Sequence, residues 1–278
     1  MSSAGRGVTK LVLVALLSAA VSILSAAADS SGSSRPAGRW IDGEFVSSMG
    51  IVIPYQVWMP PEHLRDGTYR FGPDTHPLVV FLTARSPGGI GTRATTESDE
   101  VERRDALSTC PECSPLFSVG AARDYSALVA VVYLRGDPTV REREEELEAL
   151  IELATSDSSL QGVDDRRIYL SGHDSCAVVA WELAARVPSL FAALVPAGGG
   201  SDPRLAPRLA ATAIWAFHAS VDPRPVAETR TMIGAIWAAG GNRARYSEFH
   251  SGGGNSWLRA WSDPILVAWL FSQTRVSP

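Results

Sequence analysis

The sequence lacks any concentration of positive charge. Its 278 residues carry a net charge of −5, and the basic residues are scattered along the chain. Because a nucleic-acid-binding domain presents a basic stripe or a known binding motif, no nucleic-acid partner is predicted. Internal repeats and long linkers are also lacking, and the composition, 45% hydrophobic and 20% charged, is typical of a folded globular protein. We therefore expect one domain.

The N-terminal segment has the composition of an export signal. Arg6 and Lys10 precede an apolar run from Leu11 to Leu24, and three alanines at 26–28 offer a cleavage site of small residues. An uncleaved membrane anchor is the alternative, since the run extended to residue 28 is about 18 residues long, which is borderline for a span.

These features predict a signal peptide at 1–28, a flexible leader and N-terminal entry at 29–50, and the folded domain at 51–278. The mature protein is predicted to be secreted or periplasmic, with no stable membrane span after the signal is cleaved.

Cysteine is scarce, with three residues in the chain. Cys110 and Cys113 form a CPEC pair, for which a local disulfide is expected in an exported protein, although dithiol redox motifs share this spacing. A zinc site would need two further ligands, and the absence of a second close pair predicts no metal. Cys176 is expected to be buried.

Apolar runs with strand character alternate with segments of helical spacing. Leu78–Thr83 (LVVFLT) and Ala127–Leu134 (ALVAVVYL) are nearly continuous, as in strands covered on both faces. Further strands are predicted at 51–59, 167–171, 194–195, 213–218 and 243–249, and helices at 146–155, 175–187, 226–239 and 256–272, the last interrupted near Pro264. The charged run Arg141–Glu146 is predicted to be a solvated helix face. This alternation predicts an α/β fold with a mainly parallel central sheet flanked by helices.

Chemistry in such a sheet is expected beyond the carboxyl ends of its strands. Four segments of the chain occupy those ends: Thr83–Ser86, Gly172–Ala177, Asp222–Pro223 and Ser251–Trp257. The candidate site residues come from these four segments and from His250 just before the last one.

The order and spacing of the four segments resemble the secreted esterase, feruloyl-esterase and polyhydroxybutyrate-depolymerase-like group of α/β-hydrolases, which includes predicted peptidases. The resemblance extends from about Tyr55 to Gln273. It is strongest in VDDRRIYLSG, WELAARVPSLFAALVPAGGG, AIWAFHASVDPRPV and YSEFHSGGGNSWLRAWSDP. It implies an α/β-hydrolase fold, a small-molecule or polymer ester-like ligand and no cofactor.

The chain departs from this group at the nucleophile. Where the group has Gly-x-Ser-x-Gly on a strained strand-to-helix turn, this sequence has Gly172-His173-Asp174-Ser175-Cys176. Asp174 therefore stands at the nucleophile position, as an N-terminal cap of the following helix or as a carboxylate nucleophile. Use of Ser175 instead would put His173 in a slot that requires a small residue. His173 is predicted to point into the pocket or to cover the turn.

The group's base and oxyanion positions are also changed. Gly254 stands where the resemblance places the catalytic histidine, and His250, four residues earlier, is the nearest candidate replacement. Thr83-Ala84 replaces the His-Gly pair that supplies an oxyanion donor, and alanine adopts a positive φ only at a cost. Asp222 matches the group's carboxylate, for which a salt bridge or a contact within its loop is the alternative role.

The changed catalytic positions leave two main hypotheses for the function. The first is an exported pseudo-hydrolase that binds a ligand without hydrolysing it, because three of the group's four catalytic positions hold residues unsuited to its mechanism. The second is a hydrolase with a substituted site that uses Asp174, His250 and Asp222. Thiol chemistry by the CPEC pair is a third hypothesis.

Overall fold

The computed structural model describes residues 39–60, 64–65, 68–69, 76–84, 125–135, 140–155, 163–250 and 256–275. The predicted signal peptide, the CPEC pair and Gly254 lie outside these residues. Within them, no helix combines the length and the apolar character needed to cross a membrane.

Strands and helices alternate along the chain as predicted. The strands are β1 (Arg39–Val46), β2 (Val52–Met59), β3 (Leu64–Arg65), β4 (Thr68–Tyr69), β5 (His76–Ala84), β6 (Leu128–Leu134), β7 (Val163–His173), β8 (Ala193–Ala197), β9 (Ala213–Ala219) and β10 (Ala244–Phe249). The helices are α1 (Val140–Thr155), α2 (Ser175–Arg186), α3 (Ala206–Leu209), α4 (Val226–Ala238), α5 (Ser256–Trp261) and α6 (Pro264–Ser272), and a 3-10 turn (Pro203–Leu205) precedes α3. The break between α5 and α6 falls at residues 262–263, just before Pro264, close to where the sequence predicted an interruption.

Among the described residues, eight strands form one sheet in the order β1-β2-β6-β5-β7-β8-β9-β10. Strand β2 runs antiparallel to both of its neighbours, β1 and β6. The other six strands, β5 to β10, are parallel to one another. The predicted, mainly parallel sheet is therefore confirmed. Its carboxyl edge collects the ends of β5, β7, β9 and β10, where the candidate site residues lie.

The sheet is covered on both faces, which explains its nearly continuous apolar strands. Along β5, Leu78, Val80 and Leu82 pack in one cluster with α1, α2 and α4, whereas Val79 and Phe81 pack in a second cluster with α5 and α6. Because successive side chains of a strand point to opposite faces, every position of such a strand is apolar.

The sequence did not predict β1, and the sheet begins at Arg39, before residue 51, where the domain was predicted to start. Strand β1 pairs with β2 along its whole length. Gly43 interrupts its apolar pattern because a Cβ there would lie 2.1 Å from the Tyr55 ring on β2. The cross-strand aromatic ring thus occupies the space that a side chain of β1 would take.

The charged run at the start of α1 is only partly solvated. The Arg141 side chain is 88% exposed, but Glu146 is 3% exposed and accepts a hydrogen bond from the Arg135 backbone N–H at 3.0 Å. The prediction of a solvated face is therefore wrong for Glu146. Its carboxylate satisfies a backbone donor where the chain leaves β6, a contact that periodicity does not reveal.

Candidate functional site

The turn between β7 and α2 has a strained backbone at Asp174. This residue has φ 52° and ψ −121°, and is one of two described non-glycine residues with positive φ. Such a conformation costs about 1–3 kcal/mol and persists only where the surroundings impose it. Hydrogen bonds on both sides hold it: the Asp174 N–H donates to the Ala197 carbonyl at 2.9 Å, and the Ala177 N–H donates to the Asp174 carbonyl at 3.1 Å.

Close backbone packing leaves no room for larger residues around this turn. A Cβ on Gly172 would lie 2.4 Å from the Cys176 carbonyl oxygen, and one on Gly199 would lie 2.7 Å from the Asp174 carbonyl oxygen. Cys176, at the second small position, is 2% exposed with a free thiol, so its predicted burial is confirmed. The turn therefore depends on small residues in its own sequence and on a glycine that follows β8.

The strained position is Asp174 itself. Ser175 is the first residue of α2 and has no positive φ, so the turn is not displaced toward it. The cap interpretation of Asp174 is wrong, because its side chain makes no capping hydrogen bond. A capping residue usually has an extended backbone that brings its oxygen to the first N–H groups of the helix, and the backbone angles of Asp174 are different. The half-buried carboxylate has no hydrogen-bond or ion-pair partner among the described residues.

Asp222 makes two backbone contacts at the carboxyl edge of the sheet. One carboxylate oxygen accepts from the Ala219 N–H at 2.7 Å, and the other accepts from the Ser256 N–H at 3.0 Å. The first contact closes the turn after β9, and the second holds the first residue of α5. Asp222 thus makes the contact within its loop that was the alternative role predicted from the sequence, and it also contacts the first residue of α5.

His250 follows β10, and its ring lies beside Glu248. The ring is 76% exposed, with Nδ1 3.3 Å from a Glu248 oxygen. Arg230 and the Tyr246 hydroxyl also donate to Glu248, and these hydrogen bonds lower the pKa of its carboxyl to about 2. Within the described part of the chain, the His250 ring forms no hydrogen bond or ion pair with Asp174 or Asp222.

Thr83 and Ala84, at the predicted oxyanion position, belong to strand β5 and not to a loop. Thr83 is buried, and Ala84 still belongs to β5, where it pairs with Leu134 of β6. The pairing of Leu82 with Gly172 places Thr83 next to His173 along the edge. Ala84 has no positive φ, in line with the cost of that conformation for alanine.

The His173 side chain, at the start of the turn between β7 and α2, contacts an aromatic residue of α5. The His173 ring lies 5.1 Å from the buried Trp257 ring at a tilt of 37°, and Trp257 meets Phe81 edge to face at 5.3 Å. His173 therefore links the end of β7 to α5. His218, by contrast, is buried with its ring nitrogens 2.8 Å from the Thr229 hydroxyl and 3.0 Å from the Arg224 carbonyl, so both nitrogens have partners within the protein.

No family model and no curated protein sequence matches the chain. Solved structures do. A thermostable esterase is 24% identical with a TM-score of 0.58, and the match covers 85% of this chain and 63% of that one. An esterase of the fungus Rhizomucor miehei is 14% identical with a TM-score of 0.53, covering 85% of this chain and 83% of that one. A ferulic acid esterase is 11% identical with a TM-score of 0.51, covering 85% and 98%.

The chain has the α/β-hydrolase fold. At these identities the likeness shows the fold alone, and the chain spans less than two thirds of the thermostable esterase. In the α/β-hydrolase fold the nucleophile, the acid and the histidine follow one another in that order along the chain. Asp174, Asp222 and the segment before α5 have this order, and the turn at Asp174 has the strained strand-to-helix form of the nucleophile turn.

Sequence reasoning missed two contributors to this edge. Gly199 packs against the Asp174 carbonyl, and Ser256 supplies the N–H that Asp222 accepts. The run of three glycines after β8 was a signal for the first, since consecutive glycines indicate close backbone approach. Nothing in the sequence singled out Ser256, because its role depends on a carboxylate 34 residues away.

Proposed function

We propose that this protein is an exported relative of carboxylic-ester hydrolases that binds a small-molecule or polymer ester-like ligand without hydrolysing it. The observation that carries the proposal is Asp174 in the nucleophile turn. The turn keeps its strained form and its closely packed glycines, while the side chain that it presents is not a hydroxyl.

The chemistry of a carboxylate at this point supports binding without acyl transfer. A serine hydroxyl activated by an imidazole forms an ordinary acyl ester that water can hydrolyse. A carboxylate attacking the same carbonyl would form a mixed anhydride, a poor intermediate for ester hydrolysis. Asp174 therefore does not replace serine in that mechanism.

The surroundings of Asp222 and His250 support the same proposal. Both oxygens of Asp222 accept backbone N–H groups, and the His250 ring lies beside Glu248 in solvent. A general base must lie about 2.6–3.2 Å from the atom whose proton it takes, or reach it through one water. Loss of the nucleophile or the base alone lowers kcat by about 10⁶ in a serine protease, and such losses do not add because the residues act as a unit.

One observation favours a second function, a hydrolase with a substituted site. The Asp174 carboxylate is engaged by no other described side chain, so it remains available to a substrate. A carboxylate at this turn can attack a saturated carbon, provided that an imidazole then activates water. His250 would have to leave Glu248 and approach Asp174 to do so.

Hydrolysis assays distinguish the two functions. We expect wild-type protein to show no p-nitrophenyl butyrate hydrolysis above that of Asp174→Ala, and to bind the intact ester in equilibrium dialysis. The double variant Asp174→Ser, Gly254→His should gain hydrolysis, whereas each single variant should not. Wild-type hydrolysis that Asp174→Ala abolishes would establish the second function, and failure of the wild type to bind any acyl ester in a panel of chain lengths would refute the first.

Export is tested separately by mass spectrometry of the protein recovered outside the cytoplasm. We expect a mature chain that begins at or near Asp29. Intact N-terminal residues on a membrane-bound product would favour the anchor instead.

A further inference from the structure

A cleft of about 440 Å³ lies between α2, the loop after β8 and the start of α4. Its volume is within the range of about 300–1,000 Å³ found for small-molecule sites. All of its lining residues belong to the described part of the chain: Val178, Glu182, Gly200, Ser201, Asp202, Arg224, Ala227, Glu228 and Thr231. None of them is a candidate residue of the proposed ester site.

The walls of the cleft are fixed by packing. Val178 and Glu182 are one turn apart on α2 and therefore share a face of that helix. Gly200 fixes the distance to α4, because a Cβ there would lie 2.3 Å from the Glu228 carbonyl oxygen. The Arg224 side chain passes 3.2 Å from where a Cβ of Gly199 would stand, so its stem is held against the loop. The cleft is thus part of the folded framework.

The charges that line the cleft do not balance. Arg224 pairs with Glu228 at 2.7 Å, and Asp202 pairs with Arg204 outside the cleft. Glu182 has only the Ser201 hydroxyl, at 3.5 Å, and no cationic group at ion-pair distance among the described residues. The cations nearest to Glu182, Arg143 and Arg186, form no ion pair with it, so its carboxylate faces the cleft without a charged partner at contact distance.

Glu182 is also in an environment that disfavours its charge. Burial raises the pKa of its carboxyl, and the nearby Glu144 adds to this, whereas Arg143, Ser201 and Arg186 act in the opposite direction without cancelling it. A half-buried carboxyl with a raised pKa in a cleft is a common property of functional sites. A cation that entered the cleft would replace the solvation that burial removes.

We propose that this cleft binds a small organic cation, a primary ammonium with a short alkyl chain, through the Glu182 carboxylate. The ammonium donates to Glu182, and the Ser201 and Thr231 hydroxyls provide further acceptors at the polar walls. Val178 and Ala227 provide apolar contacts for the alkyl chain. An anionic ligand is disfavoured, because it would have to displace Glu228 from Arg224 while approaching Glu182.

The test uses n-butylammonium as the probe, with 1-butanol as a neutral molecule of similar size, in NMR titrations of the full chain. Charge-assisted hydrogen bonds contribute about 1.5–3 kcal/mol, which corresponds to roughly a 10- to 100-fold difference in Kd. We expect n-butylammonium to bind at least about tenfold more tightly than 1-butanol. Glu182→Gln should remove that difference. Glu148→Gln, on the neighbouring helix and outside the cleft, should preserve it.

A second variant separates loss of the charge from loss of the fold. Ala227 is exposed on α4 and lines the cleft, so Ala227→Trp fills the space without disturbing the core. It should abolish n-butylammonium binding while its melting curve remains cooperative. Equal binding of the two probes, retention of tight binding by Glu182→Gln, or absence of n-butylammonium binding to cooperatively folded wild-type protein would overturn the proposal. None of these outcomes depends on whether the Asp174 site binds or hydrolyses esters.

Discussion

The strain at Asp174 predicts that glycine is more stable than alanine at this position. Both substitutions remove the carboxylate and with it any favourable interaction with the helix dipole, so the difference between them isolates the backbone. At φ 52° and ψ −121°, a residue with a Cβ has a conformational cost of about 1–3 kcal/mol, which glycine avoids. Glycine in turn loses about 0.5–1 kcal/mol more conformational entropy on folding.

The net advantage of Asp174→Gly over Asp174→Ala is therefore about 1 kcal/mol in the free energy of unfolding. For a domain of this size that corresponds to about 2–4 °C in Tm. The assay is thermal and urea denaturation of both variants at neutral pH. A matched control is available in the next residue, since Ser175 opens α2 and has no positive φ.

At Ser175 the order should be reversed, with Ser175→Gly less stable than Ser175→Ala, because glycine loses more conformational entropy on folding and no positive φ favours it there. If Asp174→Gly is no more stable than Asp174→Ala while the control behaves as expected, the backbone at Asp174 is not strained. The nucleophile-turn interpretation would then lose its main support.

Three further perturbations test the surroundings of the site. Gly172→Ala should destabilise the domain by about 1–3 kcal/mol, because its Cβ would meet a backbone carbonyl at 2.4 Å, whereas Gly234→Ala, in an open helical position, should be neutral or stabilising in the same denaturation assay. Asp222→Asn should lower Tm, since an amide offers one acceptor oxygen where the carboxylate accepts from the N–H groups of two separate segments, including that of Ser256. The pKa of Glu248 is lowered to about 2 from a usual value of 4.5, so its ionised carboxylate should contribute stability above about pH 4.5 that is lost as pH falls toward 2. A Glu248→Gln variant should therefore show a smaller fall of Tm over that interval than the wild type. An identical fall in both proteins would contradict this.

The order of elements was predictable because it depends on local patterns. Continuous apolar runs indicated buried strands, and the break near Pro264 was predictable because proline cannot continue a helix ladder. Strand β1 was not predictable in the same way. Its pattern is interrupted by Gly43, and only the Tyr55 ring on the neighbouring strand explains why glycine is there.

The sequence by itself determined that an α/β sheet would bring Asp174, Asp222 and His250 to one edge, because strand ends in a parallel sheet share that edge. Only the tertiary structure decided what each side chain does there. The strain at Asp174 is imposed by contacts with Gly199 and Ala197, and the contact that ties Asp222 to α5 comes from Ser256, 34 residues later. Such contacts join segments that are distant in the chain, so no local pattern of residues encodes them.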